Sequence, residues 1–316
     1  MSGRPNVGAA VDLGSNSVHL LVAEVAGHRL RPIIDESAFL GLGAAIDERA
    51  HLGAGARAEL VTTLQRYVST AHLMGATTVT LMGTEPIRRA TDSARIVADI
   101  EAGTEVPLHV LTHEEEAFLT LIGVTEGRPV TRETLVVDIG GGSTEFCAVG
   151  PRGHARAAGL RLGSDRLTNR HVTADPPTLA DIAAMTAAAD LALLDAMDGH
   201  PREIVVVGGT ASNLLKVAPG GVPDTMVTRE RLAAALATLL TQPALETSER
   251  YGVNLKRARL LPAGATIVDA LLRRYGATQA RVSDAGMREG AILIADHVGR
   301  SWRDRLESLA HGWRSA

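Results

Sequence analysis

Cysteine is nearly absent from this sequence of 316 residues, since Cys147 is the only one. A single cysteine excludes an intrachain disulfide, so we expect a reducing, cytoplasmic environment. Phe, Trp and Tyr together make up 3% of the chain, which argues against a surface that stacks nucleic-acid bases. The formal net charge is −4, and such a protein does not attract nucleic acid or an anionic membrane in bulk.

Long hydrophobic runs are absent as well. No stretch approaches the roughly 18 uninterrupted apolar residues of a membrane span, and the segment Met1–Asn6 is too short and polar for a signal peptide. The sequence also lacks a metal-binding histidine pattern, a Ser-His-Asp set and a Walker motif. With 45% apolar and 22% charged residues, the composition is that of a soluble globular protein whose length suits two domains.

One pattern occurs twice. Val11–Ser17 reads VDLGSNS and Val137–Ser143 reads VDIGGGS, and each copy lies between two apolar runs. This pattern predicts a β-hairpin with an Asp near the end of its first strand and a Gly/Ser turn at its tip. Two copies predict two related domains that face each other across a cleft, each with a phosphate-binding loop for the same ligand.

The turns themselves indicate anion binding. Glycine and serine allow a tight turn whose N–H groups converge on phosphate oxygens, and a third turn, Gly208–Thr210, precedes a predicted helix N-terminus. Asp12 and Asp138 would repel a bound phosphate unless a cation or an attacking water lies between. Two ordinary hairpins are the alternative, which the repetition disfavours. The candidate phosphate-binding residues of the three turns are Gly14, Ser15, Asn16, Ser17, Gly140, Gly141, Gly142, Ser143, Thr144, Gly208, Gly209 and Thr210.

Two further segments carry charges next to predicted elements. Arg88 follows a predicted strand, and its guanidinium fork matches two phosphate oxygens; a solvated helix face is the alternative, which we prefer for Arg89. Glu114–Glu116 opens a predicted helix after Thr112 with the spacing of a capping box. Acids there can complement the helix dipole, or one of them can orient and deprotonate water. The residues alone do not choose among the three.

The hydrophobic pattern predicts alternating strands and helices in two halves, which Gly127–Pro129 separates into domains at 1–128 and 129–316. Strands are predicted at Val7–Leu13, Val18–Val25, Leu30–Leu40, Thr77–Met82, Val106–Leu111, Thr134–Asp138, Glu145–Val149, Ala155–Leu160, Glu203–Val207 and Arg281–Ser283. Helices are predicted at Gly55–Gly75, Pro86–Ala90, Asp92–Ala102, Thr112–Val124, Thr178–Met197, Arg229–Leu240, Lys256–Tyr275 and Gly286–Val298, with one more after Gly208–Thr210.

Six motifs, in order, resemble those of the exopolyphosphatase and guanosine pentaphosphate phosphohydrolase (Ppx/GppA phosphatase) family. They are Ala10–Ser17 with His19, Gly83–Ala90, Glu114–Ala117, Val137–Glu145, Gly208–Thr210 and Ser283–Gly290. The resemblance covers nearly the whole chain and is to the short, two-domain form. Phe39 stands where many members carry an Arg, and Arg259 where an Asp is common.

The resemblance implies an α/β fold of the actin-like type, with two ribonuclease-H-like domains, a cleft between them and a five-stranded sheet in each. The final helix, about 286–300, would pack toward the first domain. The resemblance also implies Glu116 as catalytic base, Arg88 as a phosphate ligand, and Asp138 and Glu145 as ligands of Mg²⁺ or Mn²⁺. Asp12 is a further candidate metal ligand, and a K⁺ requirement stays open.

The implied activity is hydrolysis of the terminal phosphate of inorganic polyphosphate. Hydrolysis of the 5′-terminal phosphate of guanosine pentaphosphate (pppGpp) is the close alternative, because the motifs are shared. An ATP-using kinase or chaperone-like ATPase is disfavoured by the Glu114–Ala117 and Val137–Glu145 motifs, and a non-catalytic sensor of polyphosphate or the alarmone by the intact acids. We expect a homodimer, as among relatives, and neither a nucleic-acid nor a membrane partner.

Overall fold

The computed structural model describes residues 6–220 and 225–313. Tertiary contacts divide them into two compact units. Unit 1 contains the described residues of 1–130, 152–155 and 285–316, and unit 2 those of 131–151 and 156–284. The C-terminal segment from residue 285 therefore makes its contacts in unit 1. Throughout the described ranges, no helix combines the length and apolar composition that a bilayer crossing requires.

Unit 1 has a five-stranded mixed sheet of order β3-β2-β1-β4-β5. Its strands are β1 Asn6–Leu13, β2 Ser17–Ala26, β3 Arg29–Phe39, β4 Thr78–Gly83 and β5 Leu108–Val110. The first predicted hairpin is confirmed, because β1 pairs antiparallel with β2 and Asp12 lies directly opposite His19. Parallel pairing of β1 with β4 places Met82 on the other side of Asp12. The sheet therefore carries the Asp12 backbone in its centre.

Helices flank this sheet. They are α1 Leu42–Arg49, α2 Ala54–Leu73, α3 Glu85–Arg89, α4 Ser93–Thr104, α5 His113–Thr125, α13 Met287–Val298 and α14 Trp302–Leu309. Glycine allows α5 and α13 to approach closely: a Cβ on Gly290 would overlap the Leu119 carbonyl, and one on Gly123 would overlap the Gly286 carbonyl. Helix α5, which carries the predicted acids, therefore packs against α13 with the two backbones close together.

Unit 2 has a six-stranded sheet of order β10-β11-β9-β6-β7-β8. Its strands are β6 Thr134–Ile139, β7 Thr144–Val149, β8 Arg156–Leu160, β9 Glu203–Val207, β10 Met226–Thr228 and β11 Gln279–Val282. The expectation of five strands is wrong for this unit, because β10 adds an antiparallel edge in which Val227 pairs with Ala280. Burial of the Val227 side chain, 2% exposed, explains why so short a strand forms.

The helices of unit 2 cover the sheet and share one core with Leu135, Val137 and Ile139 of β6. They are α6 Ser164–His171, α7 Leu179–Ala192, α8 Gly209–Val217, α9 Arg229–Leu239, α10 Ala244–Tyr251, α11 Leu255–Ala258 and α12 Leu261–Arg274. The prediction of one helix over 256–275 is wrong. Pro262 stands in the first turn of α12, where its missing N–H is tolerated, but it cannot continue a preceding helix.

Candidate active site

The β1–β2 turn of unit 1 has the backbone of an anion-binding loop. The Gly14 N–H donates to the Ser17 carbonyl across 3.1 Å, and the Ser15 carbonyl accepts from the Gly43 N–H at 2.8 Å. Among the backbone–backbone hydrogen bonds of the described residues, none uses the N–H groups of Ser15 and Asn16. The Ser15 and Ser17 carbonyl groups are therefore hydrogen-bonded within the protein. The N–H groups of Ser15 and Asn16 are available to phosphate oxygens.

The β6–β7 turn of unit 2 repeats this arrangement. The Gly140 N–H donates to the Ser143 carbonyl across 3.0 Å, and the Gly141 carbonyl accepts from the Asp165 N–H at 3.0 Å. No backbone hydrogen bond within the described ranges involves the N–H groups of Gly141 and Gly142. The two hairpins thus share one turn geometry, as their sequences predict.

Each turn is backed by a short helix that follows the third strand. Helix α1 follows β3, and a Cβ on Gly43 would lie 2.9 Å from Ser15 Cβ. Helix α6 follows β8, and a Cβ on Gly163 would overlap the Gly141 carbonyl. Sequence analysis missed α1, which begins after Gly41 in the left-handed conformation without a side-chain cap. Small residues at the start of each helix allow this close approach.

In unit 2, the third predicted turn lies beside the second. The Ser164 N–H donates to the Gly140 carbonyl at 3.0 Å, and Ser164 Oγ lies 3.2 Å from Thr210 Oγ1. Gly208 has φ 97°, and a Cβ there would stand 2.8 Å from Asp138 Oδ1. The structure therefore brings together three predicted features within unit 2: the Gly140–Thr144 turn, the Gly208–Thr210 turn and Asp138.

Two further details refine the unit 2 site. Thr144 is fully buried, and its hydroxyl donates to the Leu162 carbonyl at 2.6 Å, so this hydrogen is engaged inside the protein. The guanidinium of Arg257 lies against Gly209, in the space a Cβ would fill. Sequence analysis did not connect Arg257 with this turn, because the two are distant in the chain and share no local pattern.

Asp138 and Glu145 form a carboxylate pair on the unit 2 hairpin. They lie directly opposite each other in the antiparallel register, which puts their Cβ atoms about 4.5–5.5 Å apart. Glu145 is 4% exposed, and like charges in this position disfavour each other. Hard oxygen donors side by side suit a divalent cation such as Mg²⁺. The predicted pair therefore fits a metal ion, whereas Asp12, the further candidate, faces His19 in unit 1.

Glu116 and Arg88, predicted for separate tasks, are ion-paired in unit 1. Glu116 is 7% exposed, and its Oε1 lies 2.5 Å from Arg88 Nη1. The same guanidinium donates to the Leu111 carbonyl and lies 3.1 Å from His113 Nδ1. Burial lowers the pKa of His113, and the positive charge of Arg88 lowers it further. A buried carboxylate, an arginine and a histidine of lowered pKa thus meet at the start of α5.

The structure distinguishes the three consecutive glutamates. Glu114 is exposed, and Glu115 completes the predicted capping box, since its carboxylate accepts from the Thr112 N–H at 2.8 Å. Burial raises the pKa of Glu115, but hydrogen bonds from Arg303 and Thr112 outweigh this and leave the pKa below its ordinary value. Only Glu116 is buried, which makes it the member of the three best suited to act on a sequestered water.

Solved structures with a similar fold include family members. The Ppx/GppA family member from Aquifex aeolicus is 26% identical with a TM-score of 0.79, and the match covers 92% of this chain and 97% of that one. An exopolyphosphatase from Cytophaga hutchinsonii has a TM-score of 0.80 at 19% identity over 98% of this chain and 100% of that one, a likeness of fold alone. The predicted fold class, an α/β fold of two actin-like domains, is confirmed.

Sequence relatives agree with this fold. Residues 21–297 match the Ppx/GppA phosphatase family, and this chain belongs to that family. "Exopolyphosphatase 1" of Mycobacterium tuberculosis is 28% identical over 90% of this chain and 86% of its own length. The "Guanosine-5'-triphosphate,3'-diphosphate pyrophosphatase" of Aeromonas hydrophila is 25% identical over 94% of this chain and 61% of its own length. Family membership confirms the prediction of a phosphatase-class enzyme.

Proposed function

We propose that this protein is an exopolyphosphatase, which removes the terminal phosphate of inorganic polyphosphate by hydrolysis of a phosphoanhydride bond. The observation that carries the proposal is the ion pair of buried Glu116 with half-buried Arg88 at the start of α5, with Oε1 and Nη1 2.5 Å apart. A base needs a defined position close to a bound phosphoryl group, and an arginine is well suited to bind such a group. The 28% identity to an exopolyphosphatase supports the choice of substrate.

In this proposal, unit 1 supplies the base. Glu116 orients a water molecule and accepts its proton as the water oxygen attacks phosphorus and the bond to the shortened polyphosphate breaks. Arg88 binds a phosphoryl oxygen through Nη2, the guanidinium nitrogen that lies beside His113. The available N–H groups of Ser15 and Asn16 donate to phosphate oxygens, and such preorganised donors stabilise the charge that develops in the transition state.

Unit 2 supplies further donors and the cation ligands. The N–H groups of Gly141 and Gly142 serve as phosphate donors like those of unit 1. Asp138 and Glu145, opposite each other on β6 and β7, would hold Mg²⁺ or Mn²⁺. A divalent ion there would neutralise charge on the phosphate oxygens. The sequence-based suggestion of K⁺ stays a prediction, tested by assays in matched K⁺ and Na⁺ buffers.

The test is phosphate release from polyphosphates of defined length, pppGpp and ATP, with and without Mg²⁺. We expect Glu116→Gln to lower kcat about 10²–10⁴-fold, the range for loss of a positioned base, while its circular dichroism stays that of the wild type. Glu114→Gln, a change in an exposed neighbour, is the matched control and should keep wild-type activity. Wild-type turnover by Glu116→Gln would refute the role of this residue, and no phosphate release by the wild type from any substrate would refute the function.

Hydrolysis of pppGpp is the second candidate, favoured by the Aeromonas hydrophila relative that matches 94% of this chain. The chemistry is the same, so the residues named above would keep their roles. An aromatic content of 3% offers few side chains to stack on guanine. The ratio of kcat/KM for pppGpp and for polyphosphate decides between them. Self-association into a homodimer is a separate proposal, which sedimentation velocity tests.

A further inference from the structure

Helix α14 contacts the start of α5 through Arg303. Arg303 Nε lies 2.5 Å from Glu115 Oε1, and its Nη2 lies 2.8 Å from Glu115 Oε2. The same Nη2 donates to the Val110 carbonyl at 2.8 Å, at the end of β5. Next to it, the Trp302 ring meets His109 edge to face with centroids 5.1 Å apart. The first turn of α14 therefore contacts both elements of the β5–α5 junction, the strand β5 and the start of α5.

Arg88 holds the same junction at the adjacent positions. It donates to the carbonyl of Leu111, the residue after Val110, and pairs with Glu116, the residue after Glu115. Arg88 and Arg303 thus donate to the carbonyls of two consecutive residues and pair with two consecutive acids. The carbonyls are those of Leu111 and Val110, and the acids are Glu116 and Glu115. One of the arginines belongs to the proposed catalytic pair, and the other comes from the C-terminal helix.

Glu115 links the Arg303 contact to the geometry of α5. Its carboxylate also accepts from the Thr112 N–H, which fixes the first turn of the helix. A bidentate arginine–carboxylate pair is directional as well as attractive, so Arg303 limits the orientations open to the Glu115 side chain. Because Glu116 is the next residue of that turn, its Cα–Cβ direction follows from how the turn is held.

We propose that Arg303 is a positioning residue, which holds the first turn of α5 in the orientation that Glu116 needs as the base. This inference rests on the proposed function. Arg303 and Trp302 lie beyond residues 21–297, the range that matches the family, and outside the six motifs. The pair is partly exposed, with side chains 38% and 20% accessible, so its contribution to global stability is small and its effect should appear in turnover.

The test uses the 316-residue chain and three variants of α14. Arg303→Met keeps the aliphatic stem and removes the guanidinium, Arg303→Lys keeps the charge but loses bidentate geometry, and Arg305→Met changes an exposed residue of the same helix. Steady-state kinetics on polyphosphate give kcat and KM. Amide hydrogen exchange, followed by mass spectrometry without substrate, reports on residues 112–118.

We expect Arg303→Met to lower kcat about 10- to 100-fold, as for a small misplacement of a catalytic group, with KM within about twofold. Exchange should accelerate at residues 112–118 and stay unchanged elsewhere in unit 1. Arg303→Lys should fall between Arg303→Met and the wild type, and Arg305→Met should equal the wild type. Because Arg303 acts through Glu115, the Arg303→Met/Glu115→Gln double variant should lose less than the product of the single losses.

Three results would overturn the inference. They are wild-type kcat in Arg303→Met, a loss of kcat without faster exchange at residues 112–118, and faster exchange throughout unit 1 with a lower melting temperature. Failure of the proposed function is read separately, from the absence of phosphate release by the wild type, and failure of the role of Glu116 from wild-type turnover in Glu116→Gln. The exchange measurement on Arg303→Met needs no turnover, so the two failures are distinguishable.

Discussion

The two hairpins have the same turn but differ in the residue opposite the aspartate. Gly14 N–H to Ser17 O and Gly140 N–H to Ser143 O measure 3.1 and 3.0 Å. In unit 1, Asp12 faces His19, whereas in unit 2, Asp138 faces Glu145. The backbone of a phosphate-binding loop is therefore present in both units. Of the two described hairpins, the one in unit 2 carries the paired carboxylates that suit a cation.

Replacement of the paired acids should give the largest effect. Asp138→Asn and Glu145→Gln should each lower kcat/KM about 10³-fold, because a bound cation contributes several kcal/mol to charge stabilisation in the transition state and about 1.4 kcal/mol corresponds to a factor of ten. Asp12→Asn, the counterpart in unit 1, should lose about tenfold or less. Phosphate release over a range of Mg²⁺ concentrations measures all three.

Calorimetric titration of Mg²⁺ into the substrate-free variants is the control for this comparison. The two unit 2 variants should bind the ion more weakly than Asp12→Asn does. If Asp12→Asn loses as much activity and Mg²⁺ affinity as Glu145→Gln, the assignment of the cation to unit 2 is incorrect.

Glycine contacts between helices offer a second comparison, with a smaller effect. Ala on Gly290 would overlap the backbone carbonyl of Leu119, whereas Ala on Gly264 would meet the methyl group of Thr210. We expect Gly290→Ala to lower the free energy of unfolding by about 1–3 kcal/mol, as overpacking does. Gly264→Ala should lower it by less than Gly290→Ala does, since the Thr210 methyl group can move by rotation about χ1, whereas a backbone carbonyl cannot.

Urea unfolding measures both changes. Gly55→Ala is a suitable control, because nothing lies within 4 Å of the added Cβ, and alanine favours a helix by up to about 1 kcal/mol relative to glycine.

The main effect of Gly264→Ala should be on substrate binding. Since Thr210 belongs to a proposed phosphate-binding turn, this substitution should raise KM for polyphosphate. Equal destabilisation by the Gly264 and Gly290 substitutions would contradict the distinction between side-chain and backbone contacts.

Local sequence was sufficient for much of this structure. The hairpins follow from alternating apolar runs around glycine turns, and the start of α5 follows from the spacing of Thr112 and Glu115. Pro262 indicates the break between α11 and α12, but the apolar periodicity over the longer segment 256–275 predicts a single helix. Strand β10 has three residues and exists because Val227 packs against a partner strand distant in sequence, which no local pattern reveals.

The candidate site was predictable in its turns and less so in its side chains. The sequence could not choose among Glu114, Glu115 and Glu116, because burial and long-range partners distinguish them. Glu116 pairs with Arg88, 28 residues earlier, and Glu115 with Arg303, 188 residues later. Such contacts depend on how distant elements pack, which the local periodicity of a single sequence does not encode.

In the proposed reaction, water activated by Glu116 attacks the terminal phosphorus. Hydrolysis of polyphosphate in ¹⁸O-labelled water, with mass spectrometry of the released phosphate after a single turnover, tests this step. We predict one solvent-derived ¹⁸O per phosphate from the wild type, at a rate at least about 10²-fold slower in Glu116→Gln. Phosphate without solvent oxygen, or equal rates for the two proteins, would contradict the claim.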